Sequence, residues 1–304
     1  MIVVLTRPEN AKSAVKLGYP VFTDLSQIPS GSKVIRWGNG LGADSRNWTH
    51  VLNKASVMEL STNKLAALQA LKRTVLTPDI WEEGDEVPAG LKIVVRPNSH
   101  AEGSDFELVT TPRNYVVPDG RHATRFIEGT REYRVWFVHD KYLVAKRVPR
   151  ASEGQTASDP CRSKWAYGPF VEIFPKLKEE MGKARMAIPL DFGAADVLWK
   201  DGEGWLFLEI NSAPSLDTPT VLGHFQRAIS SILGPQTTAS VPEVVPVRES
   251  AANRQLEASL PAPQSRSCLE PVRRSSWEER YKAELLAKVT GRKRELEEEF
   301  YRSL

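Results

Sequence analysis

The stretch Gly193–Thr218, GAADVLWKDGEGWLFLEINSAPSLDT, decides how the rest of the chain is read. Asp196 stands near the end of one apolar run, which gives way to a short polar turn at Lys200–Gly204. A second run, WLFLEIN, ends with Glu209 and Asn211. Residues two apart on a strand point to the same face, so Glu209 and Asn211 project together. If the two runs pair as a hairpin, Asp196 joins them. Three converging oxygen donors are what a hard cation such as Mg²⁺ needs when it also holds the phosphates of a nucleotide. An ordinary hairpin with polar ends explains any one of these residues alone. The three together, followed by Pro214 and a helix, weigh against it.

Working outward, the chain divides by pattern. Ile2–Leu5 and Lys33–Trp37 read as short buried strands, with a helix over 9–18 carrying Ala11, Ala14, Val15 and Leu17 inward. Asn63–Arg73 predicts a helix capped by Thr62 or Asn63, with Leu65, Ala67, Leu68 and Leu71 on one face. Leu91–Arg96 and Phe106–Thr110 make a hairpin around a polar loop, and Arg125–Glu128 followed by Glu132–Val138, then Lys141–Val148, gives two alternating strands around the His139-Asp140 turn. Arg150–Ser163 reads as a mobile loop. Helices are expected over Phe174–Met186 and from about Val221 to Leu233, the second closed by Gly234-Pro235. The composition then shifts to Pro, Ser, Ala and Gln, a linker signature. Beyond it, Trp277, Tyr281, Leu285, Val289, Leu296 and Phe300 form a stripe at helical spacing.

Bulk properties bound the function. The 304 residues, 41% hydrophobic and 26% charged, describe an ordinary folded chain with a real core. A net charge of +3 gives no global attraction for nucleic acid. Arg292-Lys293-Arg294 is followed at once by Glu295, Glu297, Glu298 and Glu299, which weakens a local one. Cys161 and Cys268 lie far apart, which suits free thiols in a reducing compartment. No run has the length of a membrane span. The expected location is cytoplasmic, with no membrane partner.

In their order along the chain, five segments resemble the ATP-grasp superfamily. They are Asn63-Lys64-Leu65 opening a helix, VVRP at Val94–Pro97, FIEGTREYRV at Phe126–Val135, GAADV at Gly193–Val197, and EINSAPSLD at Glu209–Asp217. The chain is similar to the carboxylate–amine ligases of that group, such as ribosomal-protein glutamate ligases and D-alanine–D-alanine ligases. It looks closest to the short ATP-grasp proteins of phages and bacterial genomes. The resemblance covers about residues 60–233 and implies an α+β ATP-grasp fold, in which two subdomains clasp ATP. The implied organisation is a pre-ATP-grasp α/β domain over 1–60, a lid subdomain with its leading helix over 61–125, and a larger subdomain with the metal site over 126–235. Outside the resemblance, composition and pattern predict a disordered linker over 236–275 and a charged amphipathic helix over 276–304, the helix either docking on the body or on a protein partner or standing exposed, held by alternating Glu and Lys/Arg pairs.

The resemblance also implies roles. Lys64 reaches the nucleotide phosphates, and Arg96 takes a second basic position where many members carry Lys. The loop Ser99–Ser104 closes over the phosphates; it holds one glycine, Gly103, and His100 or Ser99 can add side-chain donors. Phe126 and Ile127 offer hinge backbone to adenine, and Glu132 accepts from the ribose hydroxyls. Arg134, on the face of Glu132, stabilises an acylphosphate and a tetrahedral intermediate. Of the adjacent Lys146 and Arg147 only one can face inward, and Lys146 is favoured. Asp196, Glu209 and Asn211 hold Mg²⁺, two ions, for which Mn²⁺ can substitute. The remaining histidines, His50, His122, His139 and His224, read as plain surface or core residues. The expected activity is ATP-dependent ligation of a small carboxylate to an amine, with an amino acid, peptide or protein tail as one substrate. A nucleotide-binding scaffold and an ATP-grasp kinase are the rival readings.

Overall fold

The computed structural model describes residues 1–40, 42–98, 107–128, 131–149 and 165–234. The expected loops over 99–104 and 150–163, the linker and the charged helix lie outside the described residues, and His100 and Gly103 with them.

The chain opens with β1 (Ile2–Thr6), a five-residue helix α1 (Ala11–Val15), then β2 (Val21–Phe22), β3 (Lys33–Trp37) and β4 (His50–Leu52). The four strands are parallel in the order β2-β1-β3-β4. Every residue of β1 is buried, as a parallel strand covered on both faces requires. The helix expected over 9–18 is shorter than its pattern suggested. A 3₁₀ turn at Pro8–Asn10 precedes α1, and Gly18, with φ +84°, turns the chain away. Ala14 and Leu17 are buried, but Val15 lies on the far side and is 55% exposed.

Two helices follow, α2 (Ala55–Thr62) and α3 (Lys64–Lys72), the first without a counterpart in the sequence reading. Asn63 separates them in an extended conformation and caps α3, its side chain accepting from the Ala66 N–H at 3.1 Å. A small antiparallel sheet comes next. Its strands are β5 (Ile80–Trp81), β7 (Lys92–Pro97), β8 (Glu107–Thr110) and β10 (Arg121–Arg125), in the order β5-β10-β7-β8. Between them, β6 (Glu86–Val87) and β9 (Tyr115–Val116) form a two-stranded ribbon. Arg125–Glu128, expected to run into the strand that follows, is divided instead: Arg125 ends β10, and Phe126–Glu128 leads out of the sheet.

The large sheet comprises β11 (Arg131–Val138), β12 (Lys141–Pro149), β13 (Trp165–Val171), β14 (Phe192–Lys200) and β15 (Gly204–Asn211). It is antiparallel throughout, ordered β13-β12-β11-β14-β15, with β13 following the segment expected as a loop. Helix α4 (Pro175–Ala187) joins β13 to β14, and α5 (Pro219–Leu233) follows β15.

The large sheet is covered on both faces. On one face, Val135, Phe137, Ala195, Val197 and Phe207 pack with Met58 of α2, Leu71 of α3 and Leu177 and Met181 of α4. On the other, Trp136, Phe192 and Ala194 meet Val221, Phe225 and Ile229 of α5, whose core also takes in Val4, Ile35 and Trp37 of the N-terminal sheet. Helix α5 is thus the shared wedge between two sheets. Thr218 caps its start by accepting from the Val221 N–H at 3.2 Å, Pro219 occupies the first turn, and Gly234 leaves with φ +85°. Lys33 of β3 donates to the Leu233 carbonyl at 2.6 Å, placing a cation at the negative helix end. Among the described residues, no helix is long and apolar enough to cross a membrane.

The wedge carries a pH prediction. Burial lowers the pKa of His224 on α5 from its ordinary 6.5, and repulsion from Arg227 and Lys141 adds to this, against a backbone hydrogen bond at Lys141. Below pH 6.5 the unfolded chain takes up a proton that the folded one resists. The stability contribution is complete above 6.5 and lost as pH falls toward the folded value. Urea titrations at a series of pH values should show wild type losing stability faster than His224→Gln on going from about pH 7.5 to 5.5. Parallel curves would refute the assignment.

Candidate active site

The metal-site candidates lie on one face of the large sheet, and a bulge puts them there. Asp196 of β14 pairs with Glu209 of β15, but the next residue, Val197, pairs with Phe207, leaving Leu208 as the extra residue. Trp205, Phe207 and Ile210 therefore pack on the α4 side, while Leu206, Leu208, Glu209 and Asn211 share the opposite face. Without the bulge, an unbroken alternation from Phe207 would send Glu209 into the apolar core. Gly193 is required nearby: a Cβ there would lie 2.6 Å from the Asn211 carbonyl oxygen and 3.0 Å from the Phe137 ring.

Glu209 and Asn211 converge with Lys64, the first residue of α3. The Lys64 ammonium donates to Asn211 Oδ1 at 2.6 Å and lies 3.7 Å from Glu209 Oε2, and Asn211 Nδ2 donates to Glu209 Oε1 at 2.9 Å. A cationic group already sits against two hard oxygen donors, which is what a divalent cation would find there. Among the described residues, no three carboxylate, imidazole or thiol groups converge to hold a metal unaided. The amide of Asn211 and phosphate oxygens would have to complete the set, and that combination suits Mg²⁺. The residues present fit the group.

Asp196 is held differently. It is 1% exposed, with Arg134 Nη1 3.7 Å from one oxygen and Arg147 Nη1 3.7 Å from the other. Arg134 is its direct register partner on β11. Arg147 of β12 also forms a short ion pair with Glu132. Burial works against the charge on both guanidiniums. For Arg134, attraction to Asp196, helped by Tyr167 and Glu209, outweighs burial and the repulsion of Arg147, so its pKa rises. For Arg147, Asp196 and Glu132 do the same. Both stay cationic, giving an alternating array of two guanidiniums and two carboxylates over the sheet.

The adjacent pair on β12 resolves opposite to the expectation. Arg147 is 8% exposed and faces the array, whereas Lys146 is exposed on the other face. The apolar alternation across Val144 and Ala145 sets the phase: Ala145 lies on the α5 side, and Arg147 follows it two residues on. Glu132, expected to meet ribose, is engaged by Arg147.

Across the cleft, the small sheet contributes Arg96, His122 and Thr124, which line it together with Lys64, Leu68, Pro78, Leu208 and Glu209. Beside it, Ile127 packs with Leu198, Leu206 and Leu208, an apolar patch suited to a planar base. The Phe126 N–H donates to the Lys92 carbonyl at 2.8 Å, and the Phe126 ring lies under the Lys92 ammonium, so any base contact at the hinge must use other backbone atoms. His122, read from sequence as a plain histidine, is 3% exposed and part of the cleft wall. No signal in the sequence marks it, because its place in the cleft comes from the register of β10 on β7, where it pairs with Arg96.

No protein-family model matches the chain, and no curated protein matches it. Solved structures do. The ATP-grasp ligase PsnB, in complex with a minimal precursor, Mg and ADP, superposes with TM-score 0.54 at 14% identity, over 76% of this chain and 96% of that one. D-alanine–D-alanine ligase from Bacillus anthracis gives 0.52 at 12% identity, over 76% and 92%. The macrocyclase MdnC bound with precursor peptide MdnA, from Microcystis aeruginosa MRC, gives 0.50 at 15% identity, over 78% and 100%. The fold is ATP-grasp, as the resemblance implied.

Proposed function

We propose that this ATP-grasp chain is an ATP- and Mg²⁺-dependent ligase that joins a carboxylate to an amine through an acylphosphate. The observation that carries the reading is the shared cleft. Glu209 and Asn211 on β15 meet Lys64 in a cleft that Arg96 also lines, while Asp196 on β14 is flanked by two buried guanidiniums. The neighbours bound to precursor peptides favour a peptide or protein tail as one substrate.

The chemistry follows from the residues. Mg²⁺, held by Glu209, Asn211 and Asp196, would neutralise charge on the phosphates. Lys64 and Arg96 orient the triphosphate, and Ile127, Leu198, Leu206 and Leu208 exclude water around the base. An oxygen of the substrate acid bonds to the γ-phosphorus as the bond to the β–γ bridging oxygen breaks, and ADP leaves. The amine nitrogen then bonds to the acyl carbon, the carbon–oxygen bond to phosphate breaks, and inorganic phosphate departs, with the amine proton passing to solvent. Arg134 and Arg147, cationic and largely buried, stabilise the negative charge that develops on the acyl oxygen. Positioning and electrostatics supply the catalysis, with no dedicated base assigned.

The test is ADP release on addition of candidate acids and peptides, with and without amine, followed by product mass. An amide product, lighter than its two parts by one water, supports the ligase. A product heavier by a phosphoryl group in the presence of amine identifies a kinase instead, and the same basal ADP release with every acid and peptide supports a nucleotide-binding scaffold.

A further inference from the structure

We propose that His122 is a nucleotide-binding residue: held in place by Asn98, its imidazole hydrogen-bonds the phosphate chain of the ATP in the cleft. The inference rests on the cleft being an ATP site and adds a contact to it.

Three observations carry it. First, β10 alternates cleanly. Ala123, with Ile93 and Val95 of β7, fills the small apolar core on one face, so His122, Thr124 and Arg96 present themselves on the other. A histidine that is 3% exposed yet lines a polar cleft is desolvated without serving the apolar core. Second, its position along the strand selects phosphate over base. The hinge at Phe126–Ile127 lies four residues further on, about 13 Å at strand rise. Thr124 stands between, and His122 is level with Arg96, its direct register partner. Third, the ring is oriented. Nδ1 lies 3.0 Å from Asn98 Oδ1, and Asn98 is itself tied by its N–H to the Gly120 carbonyl at 2.9 Å. Asn98 is thus a positioning residue that fixes the ring's rotation by accepting from Nδ1–H, and the contact assigned to the phosphate oxygen is donated by Nε2–H of the imidazolium. Lys64 from α3, Arg96 from β7 and His122 from β10 then converge on one polyanion, while Glu209 from β15 balances Lys64.

The test is equilibrium binding of ATP, ADP and adenosine to the full chain, with thermal midpoints measured without ligand. His122→Ala is expected to weaken ATP and ADP at least about tenfold and leave adenosine unchanged, the loss of a charge-assisted contact. His122→Gln, which keeps a donor, should recover part of the loss, and Asn98→Ala should show a smaller effect with the same ligand selectivity. Equal ATP affinity in wild type and His122→Ala, with wild type binding normally, overturns this contact alone. Parallel weakening of ATP and adenosine overturns it too, since that is the mark of a base contact or a structural role. A wild-type chain that binds no ATP overturns the ATP site itself.

Discussion

Asp196→Ala will abolish acid-dependent ADP release and also destabilise the chain by about 3–5 kcal/mol, because it leaves two buried guanidiniums facing each other. Arg134 and Arg147 each lie 3.7 Å from an Asp196 oxygen, and Arg147 retains Glu132. Arg134 depends most on the lost charge, since attraction to Asp196 is the leading influence against its burial. Glu209→Gln provides the contrast. It is nearly isosteric, its amide oxygen can still accept from Asn211 Nδ2, and Lys64 keeps its bond to Asn211 Oδ1, so it should remove ADP release with little change in stability. Urea denaturation of both variants beside the ADP assay separates the two roles. An Asp196→Ala chain as stable as wild type would mean that the guanidiniums are solvated by water and the array is not a coupled unit. Full ADP release in Glu209→Gln would remove this residue from the metal site.

Asn53→Ala will have the second large effect, on folding rather than chemistry. Asn53 follows β4, is fully buried and adopts φ +59°. Its side chain joins the N-terminal sheet to the large one. Oδ1 accepts from the Asp191 N–H at 2.7 Å and the Phe192 N–H at 3.2 Å, and Nδ2 donates to the Phe192 carbonyl at 3.1 Å. The Asn53 N–H donates to Asp191 Oδ2 at 2.6 Å, a bond that alanine keeps. Truncation strands buried backbone groups at about 1–3 kcal/mol each and adds about 1 kcal/mol for a left-handed alanine. A loss of about 3–5 kcal/mol is expected, a large share of a typical total of about 5–15 kcal/mol. Asn53→Gly should recover only the backbone part. Denaturant midpoints for the two variants check this, and equal stability of Asn53→Ala and wild type would show that water replaces the clasp.

Much of this molecule was legible along the chain because the relevant forces are local. Side-chain alternation is a property of any strand, so the common face of Glu209 and Asn211 followed from their spacing. Helix ends announced themselves where a cap residue preceded an apolar stripe: Asn63 before α3, Gly234 after α5. The order of the five matching segments was enough to imply the ATP-grasp fold. Elsewhere the local signals are thin. RHATR has no apolar alternation, and becomes β10 only because β5 and β7 supply hydrogen-bonding partners on both sides.

What tertiary structure alone decided is phase. Spacing says that one of Lys146 and Arg147 faces inward, but the choice of Arg147 comes from Ala145 being drawn to the α5 side of the sheet. Spacing likewise says nothing of the bulge at Leu208, a pairing event between two strands, yet it turns Glu209 from the apolar core to the cleft. The burial of His122 is a third case, since a histidine's neighbours across a sheet are fixed by register and not by sequence distance. A strand carries its own alternation, but only its partners determine which half of that alternation meets the ligand.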